Sequence, residues 1–455
     1  MEARKRYGRH LKGFLEVKMS NWNFDDLESY DSRICEIAKK HDLDWFPIVY
    51  ETCDYYEMIG NMSYHGMPSH YAHWSFGKSF ERTHQMYNLG AEGLPYELII
   101  NSDPSIAYLM RENPLYLQVL IMAHCVGHSD FFKNNKEFAH TDPERVVSRF
   151  RNARKRIQGY IEDPSIGIEK VEKILDSAHA VQFQANRYSN VYFTQAEKEA
   201  RVLENWEREV ALDPEITHPT FDKVPAWPEF DLLGFIIEQC PKLEDWECDI
   251  LEIVREEAQY FLPQMQTKIM NEGWASTWHY KICHELDLDG SMHIPFIKSH
   301  NQVIRPHTGA INPYHVGFVM FKDIEKRFGI EECFVARETC NDESFLRTYL
   351  TRELCEELEL FQFVEKENFY IISEVSDEEG WKNIRSGLIK QTGANNIPVI
   401  YVEDVEEGGV LILHHEHDGR DIDMSYAEKV ISHIQELWKN PVRLITTIED
   451  EPFEI

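Results

Sequence analysis

Cations are scarce in this sequence. Lysine and arginine number 47 in 455 residues against 79 aspartates and glutamates, a formal net charge of −32. A surface that acidic repels phosphate backbones and anionic headgroups, so nucleic acids and membrane surfaces are poor partners for it. Cysteine is sparse as well: nine residues, an odd count, with no C-x-x-C spacing. That usage suits a reducing compartment in which the thiol packs as a small hydrophobe. No run of about 18 apolar residues occurs, so no membrane span is expected. The basic start (Arg4, Lys5, Arg6, Arg9, Lys12) is followed by the polar stretch SNWNFDDLESYDS rather than a secretory core, and the expected location is cytoplasmic. G-x-S-x-G and G-x-G-x-x-G are both missing, which leaves a nucleophile elbow or a dinucleotide fold without support. Gly77-Lys78-Ser79 spells the end of a P-loop, but Ala72 stands where its first glycine belongs. Internal repeats and low-complexity tracts are absent too.

Apolar side chains are plentiful, at 43% of residues with 12% aromatic, enough for a substantial core. The stretch that organises the chain is Leu115–Asn135, where His124 and His128 lie four residues apart in what reads as one helix. At about 1.5 Å rise per residue the two rings stack on one face and can reach a single metal ion. In HExxH hydrolases the residue after the first histidine is a glutamate that acts as base; here it is Cys125, whose thiol cannot take that role at neutral pH. The spacing therefore points to metal binding without ordinary protease chemistry. Packed histidines with no metal remain a second reading of the same spacing.

A third ligand is expected from Met270–His279, MNEGWASTWH, where Glu272, Ser276 and His279 share a helix face at i, i+4 and i+7. Glu272 is the candidate ligand, His279 a further one, and Ser276 a supporting residue. Asn135, seven residues past His128, either orients a histidine or caps the helix end. A base would have to come from elsewhere, and Glu256 and Glu257 in REEAQYF are the candidates, unless they belong to a solvated helix face. Zinc is the favoured divalent metal. The six histidines of Trp278–His315 could supply further ligands or a proton relay, but read mainly as loop and helix-end residues.

Along the chain, a capped helix is expected from Asn23 or Asp25, an extended segment over Leu43–Tyr56, and a strand over Leu94–Ile100 stopping at Asn101-Ser102-Asp103-Pro104, a helix-start signal. Helices are expected at Asp142–Tyr160, Ile168–Asn186, Thr194–Leu212, Leu232–Gln239 and Leu243–Leu262. The proline-rich Asp213–Phe230 reads as a linker. From Phe369 short β-rich runs alternate with a helix at Tyr426–Trp438, closed by Glu449-Asp450-Glu451. The fold class is α+β and predominantly helical: a zincin-like body over 23–362, a basic arm over 1–22, and a small C-terminal α/β domain over 363–455.

Six strings carry a family resemblance: HWSFGKSFERTH (His73–His84), ELIINSDPS (Glu97–Ser105), AHCVGHSDFFKNN (Ala123–Asn135), KIMNEGWASTWH (Lys268–His279), INPYHVGFVMFKDIEKR (Ile311–Arg327) and FLRTYLTRELCEELELF (Phe345–Phe361). Together they resemble the SpoVR-like family, the stage V sporulation protein R group, from about Phe46 onward. The resemblance implies a part in assembling spore-cortex peptidoglycan or in a related stress response, beside a kinase-like protein encoded nearby. Two functions compete: a metal-dependent amide hydrolase, or a regulatory scaffold that has lost catalysis. An open ligand position would favour the first and four protein ligands the second.

Overall fold

The computed structural model describes residues 22–88, 97–186, 195–213, 218, 224–225, 227–307, 311–366 and 369–455. The chain is predominantly helical with small sheets. It divides into two compact units that do not follow chain order, one drawn from Met1–His70, Trp74–Phe150 and Lys268–Lys382, the other from Tyr71–His73, Arg151–Thr267 and Asn383–Ile455. Among the described residues no helix is long and apolar enough to cross a membrane.

The first unit is built around the helix Leu115–Asn134, buried continuously from Leu117 to Phe132. A helix apolar on all sides is a core helix, and this one has neighbours on every side. The helices Phe24–Lys40, Lys268–Glu285 and Gly290–Val303 and a three-stranded sheet pack against it. Phe24–Lys40 begins at Asn23, whose side chain accepts from Asp26 N at 3.0 Å, and it buries Leu27, Ile34 and Ala38.

The sheet has Ser105–Met110 at its centre, parallel to Ile48–Cys53 and antiparallel to the edge strand Glu97–Ile100. The residues of the expected strand before Glu97 lie outside the described residues. One expectation is corrected here. Asn101–Pro104 starts no helix; it turns the chain back into the strand Ser105–Met110. Local turn chemistry is the same in both cases, and pairing on both sides decides for the strand.

Two polar contacts lock Lys268–Glu285 into this core. Asp342 accepts from Ile269 N at 2.8 Å and Met270 N at 2.9 Å, satisfying the orphan N–H groups of the helix start, and burial pushes its carboxyl up to about 7. Trp274 Nε1 donates to Asp130 Oδ2 at 2.8 Å, and the Arg337 guanidinium stands 3.4 Å from the same oxygen. The backbones also touch. A Cβ on Gly127 would lie 2.7 Å from Ala275 Cα, and one on Gly273 would lie 2.4 Å from the Gly317 backbone in the helix Pro313–Phe328. Glycine is required at both crossings because nothing larger fits.

In the second unit, Ile168–Val181 lies against Asp245–Gln266 and Met424–Trp438. The expected helices are present with ends shifted by a few residues, as Val146–Glu162, Ile168–Val181, Gln195–Leu212, Leu232–Gln239 and Asp245–Gln266. Most of the expected linker lies outside the described residues. A four-stranded mixed sheet runs in the order Ile400–Glu406, Val410–His415, Val442–Ile448, Glu451–Glu454, and Met424–Trp438 makes the crossover between its parallel pair. The acidic chain end thus enters the sheet as an edge strand. Residues Phe369–Glu374 pair with Gln362–Lys366 in a separate hairpin, within the residues grouped with the first unit.

Gly273→Ala is expected to destabilise the protein by about 1–3 kcal/mol, because the added methyl has no space against Gly317. Gly159→Ala, in open space on Val146–Glu162, should stabilise by about 0.5–1 kcal/mol. Denaturant unfolding of both variants checks the pair; equal effects would contradict the packing assignment.

Candidate metal centre

His124 and His128 project from the central helix, Glu272 from Lys268–Glu285 and Glu97 from the edge strand. One donor atom from each lies within 4.8 Å of all the others. His124 Nε2 stands 3.5 Å from Glu97 Oε1 and 3.6 Å from Glu272 Oε2, and His128 Nε2 stands 3.3 Å from Glu272 Oε2. Donors bound to one tetrahedral ion at about 2.0–2.1 Å stand about 3.3 Å apart. Hydrogen bonds would be shorter than most of these separations. His124 Nε2 and Glu272 Oε2 are buried with no hydrogen-bond partner, a costly condition that a shared cation relieves. The residues fit a divalent metal.

The atoms behind these donors fit the same reading. A histidine that binds metal through Nε2 carries its proton on Nδ1 and donates it to a neighbour. His128 Nδ1 donates to Asn271 Oδ1 at 2.8 Å. His124 Nδ1 donates to His279 Nδ1 at 2.8 Å, which places the His279 proton on Nε2, donated in turn to His300 Nδ1 at 2.7 Å. His279 and His300 must both be neutral for this chain of donors to hold, because each accepts through Nδ1. Burial, reinforced by its histidine neighbours, holds His279 well below the ordinary histidine value, and burial brings His300 down to about 4.

Burial disfavours ionising Glu272, but Lys268 and His128 outweigh it and hold the carboxyl well below its ordinary range. Lys268 Nζ donates to Glu272 Oε1 at 2.7 Å from the preceding helical turn. For His128 burial works against a proton, and the Glu272 charge outweighs it and raises the pKa above 6.5. Tyr314 stacks on His124, with ring centroids 6.0 Å apart, and its phenol is pushed well up by burial and by the charges of Glu272 and Glu97.

The chain matches the profile described as SpoVR like protein over residues 21–397 and the SpoVR-like C-terminal domain over residues 396–449. It belongs to the SpoVR-like family. This SpoVR-like chain is also 34% identical over 484 residues to the uncharacterized protein YcgB of Escherichia coli (strain K12), with 96% of the chain and 94% of that protein covered. No solved structure matches it.

The other residues singled out in the SpoVR-like sequence are placed as follows. His279 stands outside the donor cluster, with both ring nitrogens engaged by histidines. Ser276 is buried on the same helix, and its Oγ meets no partner among the described residues. Asn135 ends the histidine helix: it donates to Arg337 O at 2.6 Å and Cys340 O at 2.8 Å and accepts from Glu137 N, so Asn271 and not Asn135 orients His128. Glu256 and Glu257 belong to the second unit, where Glu257 Oε2 accepts from Tyr71 Oη at 3.1 Å. Cys125 is fully buried, and its thiol is pushed well up by burial, with Glu97 adding to the effect.

Sequence reasoning missed Glu97, Asn271, Lys268 and Tyr314, while His300 is one of the six histidines noted over Trp278–His315. Lys268 was open to discovery as the i−4 partner of Glu272, and Glu97 heads one of the quoted family strings. The others depend on side chains meeting across helices.

Because a metal must displace a proton from His128, zinc affinity should fall by about tenfold per pH unit once the pH drops below that raised value. Calorimetry in two buffers of different ionisation enthalpy measures the released proton. Affinity that stays flat over roughly pH 5–8 would contradict it. Asn271→Ala should weaken zinc binding by about 10–100-fold through loss of the acceptor for His128.

Proposed function

We propose that this chain is a divalent-metal protein centred on His124, His128 and Glu272, with zinc the favoured ion, and that the centre serves hydrolysis of an amide bond. The observation that carries the reading is the convergence of two histidine Nε2 atoms and a partnerless carboxylate oxygen, each histidine held from behind by its own acceptor. Two nitrogens with carboxylate oxygens suit zinc and neighbouring first-row ions better than magnesium or calcium. A metal there would polarise an acyl carbonyl. Two features support the zincin-like reading: a histidine pair at i and i+4 joined by a glutamate from a separate helix, and a strand edge beside them.

The family points to peptidoglycan as the material acted on, since its peptide stems supply amide bonds, in spore-cortex assembly or a related stress response. The strongly acidic composition suits a basic surface on a kinase-like partner in the cytoplasm. A second reading is favoured by one observation, the presence of a fourth donor. With Glu97 bound as well, the ion would have only protein ligands and serve structure, as a regulatory scaffold would use it.

Elemental mass spectrometry on untagged protein tests the centre. Near one zinc per chain is expected in the wild type and little in His124→Ala or Glu272→Ala. A metal-free wild type, with all three proteins equally stable, would remove the assignment.

A further inference from the structure

Three of the four donors are fixed by a second contact, and the fourth is not. His124 is held by His279, His128 by Asn271 and Glu272 by Lys268. Glu97 accepts no hydrogen bond among the described residues, and its nearest recorded polar neighbour is His124 Nε2 at 3.5 Å. Its backbone is anchored by pairing with Leu109, so the carboxylate is delivered to the site on a firm strand but is free to turn there. Its side chain is also the most exposed of the four, at 12% against 2%, 5% and 7% for His124, His128 and Glu272. The most exposed donor is therefore the unanchored one.

Its place in the site has a chemical meaning. Residue 125 is where an HExxH helix would carry its basic glutamate, and here that position is a fully buried thiol. A carboxylate from the edge strand stands instead 3.5 Å from Nε2 of the adjacent His124, within the donor cluster. Resting on the metal reading above, we propose that Glu97 is the base of a hydrolytic centre for an amide bond, beside three fixed donors, and is not a permanent fourth ligand.

The step balances without a further reactant. The metal would supply Lewis acidity toward the acyl oxygen and the water. Glu97 takes a proton from the water as its oxygen bonds to the acyl carbon, the carbon–nitrogen bond breaks, and Glu97 returns the proton to the leaving nitrogen. A carboxylic acid and an amine are formed, with no change of oxidation state.

Acetohydroxamate is the probe, because it binds an open metal position and gives up a proton to an adjacent carboxylate. Wild type, Glu97→Gln and Glu97→Ala are loaded with zinc, and metal content and acetohydroxamate affinity are measured by elemental mass spectrometry and calorimetry. Glu97→Gln is expected to hold one zinc per chain with affinity within about threefold of wild type, while acetohydroxamate binding weakens at least about tenfold. Loss of zinc from both variants at unchanged unfolding temperature would make Glu97 a ligand and overturn the proposal. So would a zinc-loaded wild type that ignores acetohydroxamate, or a Gln variant that binds it as tightly. A wild type without zinc would instead remove the metal reading itself, an outcome separable from the other three.

Discussion

The candidate centre depends on how closely three helices approach one another. His124 and His128 flank Gly127, and Glu272 precedes Gly273; these two glycines are the crossing points at which the central helix meets Lys268–Glu285 and the latter meets Pro313–Phe328. Helices that carried ordinary side chains at those crossings would be held apart by the width of those groups, and histidine and glutamate would no longer span the gap. Close approach also buries the donors, which is why their unmatched atoms are energetically conspicuous. The same packing that stabilises the core therefore brings the chemistry together.

Burial on this scale demands compensation, and the site supplies it from behind. Lys268 lies one turn before Glu272 on the same helix and balances its charge, with little adjustment needed of the chain. Asn271, next to Glu272, and His279, two turns beyond, turn toward the histidines of the neighbouring helix, so one helix provides a donor together with the acceptors that orient the other two. The helix itself is pinned at its start by Asp342 and in its middle by the Trp274–Asp130 bond. Glu97 is the exception to this scheme: it comes from a strand, and among the described residues no side chain holds it from behind.

Much of this was readable beforehand. The i, i+4 histidines and the glutamate of a second helix stood out by periodicity, because side chains on one helix face are placed by the 3.6-residue repeat alone. Helix positions and the C-terminal alternation of strands and helix followed from the same rule. The strand Ser105–Met110 was missed because Asn101–Pro104 carries a helix-start signal that a turn between strands also satisfies. The edge strand at Glu451–Glu454 was missed because an acidic tail has no strand signal of its own and gains order only by pairing with Val442–Ile448.

By itself the sequence determined the family, the helical character, the sites of the two histidines and Glu272, and the absence of a usable base after His124. These are consequences of local spacing and residue type. Only the tertiary structure decided that His279 hydrogen-bonds to His124, that Asn271 and not Asn135 contacts His128, and that Glu97 joins the cluster from a strand 27 residues earlier in the chain. Such contacts depend on which backbones can approach within side-chain reach, and a one-dimensional pattern carries no record of that distance.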